Sequence, residues 1–412
     1  MSIWAQLRPD PYAPILTAED VLPGHPDRIC DAIAERIVGH ALAVDPEALV
    51  GVEVALHRRS VFVSGRVAAS DASGAPVVLG DEQLDAIVDD ALTAAGYTGR
   101  WALPVRVVSD LDVGGLDDDE REIRRLSDDQ GIAVGYAEPQ TVDDMPIEVP
   151  IVRRLRAALE VMRAEHPDEL GPDGKALVTL WPMELGMRPA VRSINLAIQH
   201  APGVGYPELL EWLHAPLADA LDELAAVAEP PLAWRRGPGG SDGPMGRLPD
   251  PDVLRINGIG DFTCGGPMGD NGLSGKKLVV DHYGPRVPIG GGALCGKDVH
   301  KPDRVGPLRA RQIALRLARA TGAEATVTLG WLPGLESPDR LHAVLVERDD
   351  LVRGTRPTAP ERRFLDAEAI ADLISVPDLS LAGSARDLEL ATVDWPTAMR
   401  RGYLGNGQRW ER

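Results

Sequence analysis

One stretch, residues 262–304, constrains this chain more than any other: FTCGGPMGDNGLSGKKLVVDHYGPRVPIGGGALCGKDVHKPDR. Two glycine-rich loops flank a short apolar run, Leu278-Val279-Val280, that reads as a buried strand. Lys276, Lys277, Lys297 and Lys301 sit on or beside those loops, and so do Asp270, Asp281, Asp298 and Asp303. Glycines let backbone N–H groups approach an anion closely, and ammonium groups neutralise it. Carboxylates in the same place call for a divalent cation riding on the phosphates. The pattern is that of a site for a polyphosphate with its metal. Turns alone would favour Asn, Asp, Ser and Pro, and would leave four lysines unexplained. The segment GGALCGKD nearly matches the nucleotide loop G-x-x-x-x-G-K-[ST]. It fails at Asp298, which replaces the hydroxyl, and at Pro302, where that motif's helix should propagate.

The rest of the composition makes this basic cluster local. The net charge is −20 over 412 residues, which opposes any general polyanion-binding face. Aromatic residues are 4% of the chain, too few for base-stacking surfaces, so no nucleic-acid partner is expected. Hydrophobic content of 44% and this length suit two or three domains with substantial cores. Cys30, Cys264 and Cys295 form no metal spacing and no even disulfide set, and read as small buried packing residues. Pro9, Pro11 and Pro14 interrupt the N-terminal lead, which excludes a normal signal peptide. No apolar run is long enough for a membrane span, so a cytoplasmic protein without a membrane partner is expected.

Along the chain, Ile29, Ile33, Ile37 and Ala41 recur every four residues and define an amphipathic helix. His25 stands at its entrance, and Pro26 takes the first-turn position that tolerates proline. A helix N-terminus attracts anions, and a histidine there adds a proton donor; the plainer reading is that His25 only caps the helix. Residues 49–67 alternate like two half-buried strands joined near His57-Arg58. Helices are predicted over 82–95, 149–164, 206–228 and 308–321, and strands over 105–108, 191–200, 325–332 and 343–347. The charged residues 110–125 read as a surface loop or short polar helix, and residues 127–139 as an acid- and glycine-rich turn. Asp173 and Lys175 stand at the mouth of a strand. Residues 237–252 are the strongest linker candidate by Gly/Pro density. Strands alternating with long helices favour sheets covered on one face by helices, repeated three times.

Five motifs in order then resemble the S-adenosylmethionine synthetases: GHPDRICDAI, DDQGIAVGYA, DGKALVTL, GGPMGDNGLSGKKLVVDHYG and GGGALCGKDVHKPDR. The resemblance runs from Glu19 to Trp410-Glu411. It implies an α+β fold of three similar subdomains around a pseudo-threefold axis, here divided as 1–124, 125–263 and 264–412. It implies a homodimer or dimer of dimers with active sites at the subunit interface. The reaction implied is displacement of the triphosphate of ATP from C5′ by the methionine sulfur, followed by hydrolysis to pyrophosphate and phosphate. A neutral thioether needs no general base, and no nucleophile–base triad is evident. What needs stabilising is a highly charged leaving group, which calls for cations already in place.

Residue by residue, the resemblance makes His25 the group assisting departure of the triphosphate. Asp27 and Asp303 would hold magnesium, two ions in all, and Glu53 potassium. Lys175, Lys276, Lys277, Lys297 and Lys301 would surround the phosphates, with Lys301 also reaching the amino acid. Asp173, Asp270 and Ala293 fall among the ATP contacts, Asp270 also on the acceptor, and Phe262 would stack on adenine. Asp129, Gln130 and Gly131 keep the family's DQG turn, with Asp129 toward the acceptor.

The departures concentrate on the acceptor side. Thirteen residues beyond Glu53 the family has a glutamate for the amino acid's ammonium; here that position is Arg66. An arginine there repels an ammonium group. DLDVGGLDDDEREIRR occupies the place of the family's gate loop. Asp261 precedes Phe262 where an arginine is usual, and Lys276 replaces an arginine, losing the bidentate fork. Two acceptors therefore stay open: methionine, with its ammonium held by other acids such as Asp117-Asp118-Asp119-Glu120, or an anionic nucleophile facing Arg66. Retention of His25, both metal aspartates and the lysines opposes a third reading, a catalytically inactive regulatory relative.

Overall fold

The structure, a computed structural model, describes residues 16–139, 141–181, 190–227, 233–234, 253–347 and 361–412. The predicted linker 237–252 and the proline-rich lead up to residue 15 lie outside the described residues. The elements in chain order begin with β1 (Leu16–Val21), α1 (Pro26–Val44), β2 (Leu49–His57), β3 (Ser60–Ala68), α2 (Asp81–Ala95), β4 (Arg106–Gly114), α3 (Asp118–Ile123) and β5 (Gly131–Ala137). Next come α4 (Glu148–Glu165), β6 (Leu170–Trp181), β7 (Ala190–His200), α5 (Tyr206–Val227), β8 (Ala233–Trp234), β9 (Leu254–Ile256) and β10 (Asn271–Leu273). The chain continues through α6 (Leu278–Asp281), α7 (Pro302–Thr321), β11 (Glu324–Trp331), β12 (Arg340–Glu347) and β13 (Glu361–Leu365). It closes with α8 (Ala367–Leu373), α9 (Leu381–Asp387) and α10 (Trp395–Arg401).

These strands form three sheets, and each takes an edge strand from elsewhere in the sequence. β1 pairs with β6, β5 pairs with β11, and β10 pairs with β2, all antiparallel. The three thirds of the chain are therefore laced together in a cycle. Within the first sheet β3 and β4 run parallel, joined through α2. The even residues of β2 (Val50, Val52, Val54 and Leu56) are buried, whereas Glu53 and His57 on the other face are exposed. Period-two alternation is what a sheet with one covered face demands.

α1 packs on β2 and β10 and against α2 and α10. Ile29, Ile33, Ile37 and Ala41 are fully buried, each isoleucine contributing roughly 1.5–3 kcal/mol relative to exposure. α7 also starts on a proline, Pro302, and ends at Gly322 with φ +72°, where a side chain would be strained. The two helices are pinned by Glu35 and Arg304, both wholly buried: Arg304 Nη1 and Nη2 donate to the two carboxylate oxygens at 2.8 and 2.7 Å. Tyr403 Oη also donates to Glu35, and the Trp395 ring lies 4.0 Å from the Arg304 guanidinium.

Four expectations are corrected. Residues 127–139 are not all turn, since Gly131–Ala137 form β5 against β11. Leu278-Val279-Val280 is not a buried strand but the single turn α6, with Val279 exposed, because three apolar residues between lysines and a buried Asp281 have no second strand to pair with. The acidic stretch 110–125 is not all loop: β4 continues to Gly114, because Leu111 and Val113 alternate inward between Asp110 and Asp112, before α3 begins at Asp118. Cys30 and Cys295 are buried, but Cys264 is exposed beside the glycine turn.

Candidate active site

His25 caps α1 in an extended conformation, and its Nδ1 accepts the Asp27 N–H at 3.2 Å. A ring whose Nδ1 accepts carries its proton on Nε2 when neutral. Neutral it is: burial first, then Lys277 and Lys175, push its pKa down to about 3. Asp27 gathers the rest of this cluster. Its Oδ1 accepts the Leu273 N–H at 3.0 Å and lies 3.7 Å from Lys276 Nζ, while Oδ2 is 3.1 Å from Lys277 Nζ. Burial alone would raise its pKa, but the Leu273 N–H and Lys277 outweigh that and hold it below the usual range. β10 exists to make this contact: Gly272 packs where any Cβ would strike the Pro26 carbonyl.

Asp173 and Lys175 enter the same cluster from β6. Asp173 Oδ2 accepts the Gly266 N–H at 2.8 Å, and Oδ1 is buried without a hydrogen-bond partner among the described residues. Burial pushes its pKa up against that backbone donor. An orphaned buried acceptor costs free energy until a ligand or water donates to it. Asp270, exposed at the turn before β10, adds its charge to the fields of both His25 and Asp173.

A second cluster stands on the start of α7. Lys297 Nζ lies 2.5 Å from Asp303 Oδ2, and Lys301 pairs with Asp128, the residue before the DQG turn. Gly131 packs on Pro302, and Gly292 leaves room for the Asp303 carboxylate, which a Cβ there would overlap. Asp129, exposed, accepts the Gln130 N–H in the same turn. Ala293 abuts Gly275, at φ +70°, so the two glycine loops touch. Two of the four aspartates singled out near these loops have a different job. Asp281 accepts from Arg28 at 2.5 Å, and buried Asp298 holds Arg124 at 3.1 Å together with the Val50 and His300 N–H groups.

The open face of the first sheet joins the Lys297–Lys301 cluster to the acidic segment. Lys297 bridges to Gly51 of β2, Gly51 is in register with Arg66 of β3, and Arg66 with Asp112 of β4. Lys301 lies over Gly51. Two strand spacings thus separate Lys297 from Arg66, about 10 Å. The Arg66 guanidinium is already engaged: Nε and Nη2 donate to the two oxygens of Glu120, both at 2.9 Å, and Asp112 lies 3.4 Å away. That pairing pulls the Glu120 pKa down and holds the arginine charged. With Asp117 at 4.0 Å, three carboxylates face one arginine, so the patch is acidic. On the same sheet, Glu53 accepts from Ser274 Oγ at 2.5 Å.

Sequence reasoning missed two positioning residues. His200 accepts the Phe262 N–H through Nε2 at 3.0 Å, and its own N–H donates to the Phe262 carbonyl, fixing the half-buried ring beside Gly265. Tyr97 Oη donates to the Gly24 carbonyl at 2.7 Å and so anchors the residue before His25. Neither lies in a glycine-rich or charged motif, and no local pattern marks them.

Known protein families match most of the chain. The S-adenosylmethionine synthetase N-terminal, central and C-terminal domain families match residues 13–108, 125–225 and 264–412. An S-adenosylmethionine synthase of Corynebacterium diphtheriae is 32% identical over 95% of this chain and 92% of its own length. One from Corynebacterium kroppenstedtii is 32% identical over 97% and 96%. In fold, the chain is similar to a structure described as an unusual S-adenosylmethionine synthetase from Campylobacter jejuni, with a TM-score of 0.75, 23% identity and 97% of both chains covered.

Proposed function

This chain belongs to the S-adenosylmethionine synthetase family, and on that premise we propose that it forms S-adenosylmethionine from ATP and L-methionine. The sulfur lone pair forms the S–C5′ bond, the C5′–O5′ bond breaks, and its electron pair leaves with the triphosphate, which water then splits into pyrophosphate and phosphate. The observation that carries this reading is His25. It is a neutral donor at the N-terminus of α1, in the field of Lys175 and Lys277. There Nε2–H would donate to the oxygen that gains charge as the bond breaks, and the lysines would neutralise the phosphates. Asp173, with one buried oxygen unpartnered, would accept from the nucleotide or the substrate ammonium. Phe262, clamped by His200, would stack on adenine.

The family generally uses magnesium and potassium. Magnesium needs only one or two carboxylates beside substrate phosphates, so Asp27 among its lysines and Asp303 over Gly292 suit it. Glu53 with Ser274 offers oxygens to potassium. Bound metal would add positive charge against the leaving group. The open sheet face presents Phe62 and Val108 in register, 43% and 38% exposed. We read it as the homodimer face, bringing the Lys297–Lys301 cluster of one subunit toward the His25 cluster of the other.

An anionic acceptor was the alternative suggested by Arg66. Glu120 already occupies that guanidinium, and the surplus of acid around it favours an ammonium instead. The test is methionine dependence: phosphate and pyrophosphate release from ATP should require methionine and be unmoved by anionic thiols. Release driven by an anionic thiol and not by methionine would overturn the assignment.

A further inference from the structure

A cavity of about 210 Å³ lies between α1, α4 and α10, and none of the candidate ATP, acceptor or metal residues lines it. Its wall carries Arg28 and Arg36 of α1, Arg153 and Arg156 of α4, and Arg400 and Arg401 of α10, against one carboxylate, Asp20. Three of these arginines are spoken for. Arg28 is paired with Asp31 and Asp281, Arg156 with Asp20 and Glu160, and Arg400 reaches Glu160 at 3.4 Å. Arg36, Arg153 and Arg401 make no carboxylate pair among the described residues. Arg36 donates only to the Ala32 carbonyl of its own helix. Arg153 spends Nη1 on the Leu404 and Gly405 carbonyls, and its Nη2 is buried with no hydrogen-bond partner.

Desolvated guanidinium groups without a carboxylate in contact are costly, and Arg36 and Arg153 show that cost. Burial depresses the pKa of Arg36 against the pull of Asp90 and Asp394, and that of Arg153 against Asp20, Glu411 and Asp143, with Arg156 adding like-charge repulsion. In a chain of net charge −20, a concave concentration of unpaired arginines is the reverse of what composition would produce by chance. Planar forks on three helices suit an anion with several oxygens on more than one centre, because each guanidinium can take two of them.

We propose that this cavity is a second anion site, distinct from the lysine clusters, that takes a small polyphosphate. Its occupant would rest on Arg36 of α1, the helix that presents His25 and Asp27. Filling the cavity therefore braces the element on which the reaction site is built. The proposal does not depend on which acceptor the enzyme uses.

The test is calorimetric titration of the full-length protein with inorganic pyrophosphate. Two classes of site are expected per chain. Lys277→Ala should remove one class. The double variant Arg36→Gln/Arg401→Gln should weaken the other at least tenfold and leave the lysine-dependent class intact. Arg401→Glu alone, on an exposed side chain that no packing depends on, should weaken the same class at least fivefold. A single class that is lost with Lys277→Ala and unmoved by both arginine variants overturns the proposal. Loss of the lysine-dependent class alone being absent, with the arginine class still present, would instead count against the reaction-site assignment. Inorganic phosphate titrated in parallel should bind the arginine class more weakly than pyrophosphate; equal binding would overturn the polyphosphate assignment.

Discussion

Arg66 and Glu120 form a two-pronged ion pair at 2.9 Å on the open face of the first sheet, one register row from Gly51 and two from Lys297. An arginine that would repel a methionine ammonium is thereby neutralised by a residue of the acidic segment, and Asp112 and Asp117 remain exposed beside it.

Removing the arginine should release that acid. Arg66→Gln is expected to lower the KM for methionine, and Glu120→Gln to raise it by about tenfold, the worth of one charge-assisted hydrogen bond. Steady-state kinetics at saturating ATP checks both. Opposite shifts would mean that Arg66, not the acids, faces the acceptor.

Lys297 stands opposite Gly51 with Asp303 as its partner. Lys297→Ala should cut ATP turnover by about 10²–10³ with any acceptor, as removal of one preorganised charge does. Turnover at the parent rate would show that the second cluster takes no part.

His25 gives a pH prediction with a definite sign. In the unfolded chain it titrates near 6.5, and in the folded chain near 3. Between these values the unfolded state binds the extra proton, so the stability contribution is present above about pH 6.5 and is lost as pH falls toward 3. His25→Asn keeps a capping side chain and removes the titration. Urea midpoints at pH 7.5 and 5 should then differ less in the variant than in the parent. Comparing the two isolates His25 from Asp31, whose carboxyl burial pushes up to about 7. Equal pH slopes would contradict a buried neutral His25.

The Glu35–Arg304 pin couples stability to the site, because Arg304 Nε also donates to the Lys297 carbonyl at 3.1 Å. Glu35→Ala leaves a buried guanidinium uncompensated and should destabilise by about 3–5 kcal/mol. Glu35→Leu/Arg304→Met should cost much less, as chemical denaturation would report. Equal losses would mean that the charge pair itself is not what holds α1 on α7.

Much of this was legible in the chain. The spacing of Ile29, Ile33, Ile37 and Ala41 marked α1, and alternation marked β2 and β3, because burial on one face leaves a period that composition cannot hide. The lysines and glycines of the two loops marked the two clusters of lysines and aspartates. Pairing between distant segments was not legible. β10 has three residues, too few for a period, and its place against β2 is set by Leu273 donating to Asp27. Nor could spacing alone tell Asp298, locked to Arg124, from Asp303, which faces Lys297. Both are aspartates of one motif, one before α7 and one in its first turn, and burial separates them.

Mass spectrometry of the products from ATP, methionine, magnesium and potassium tests the proposed reaction most directly. S-adenosylmethionine should accumulate one for one with pyrophosphate and phosphate, and only when methionine is present. Cleavage of ATP with no adenosylated methionine, under conditions where the protein is folded, would contradict it.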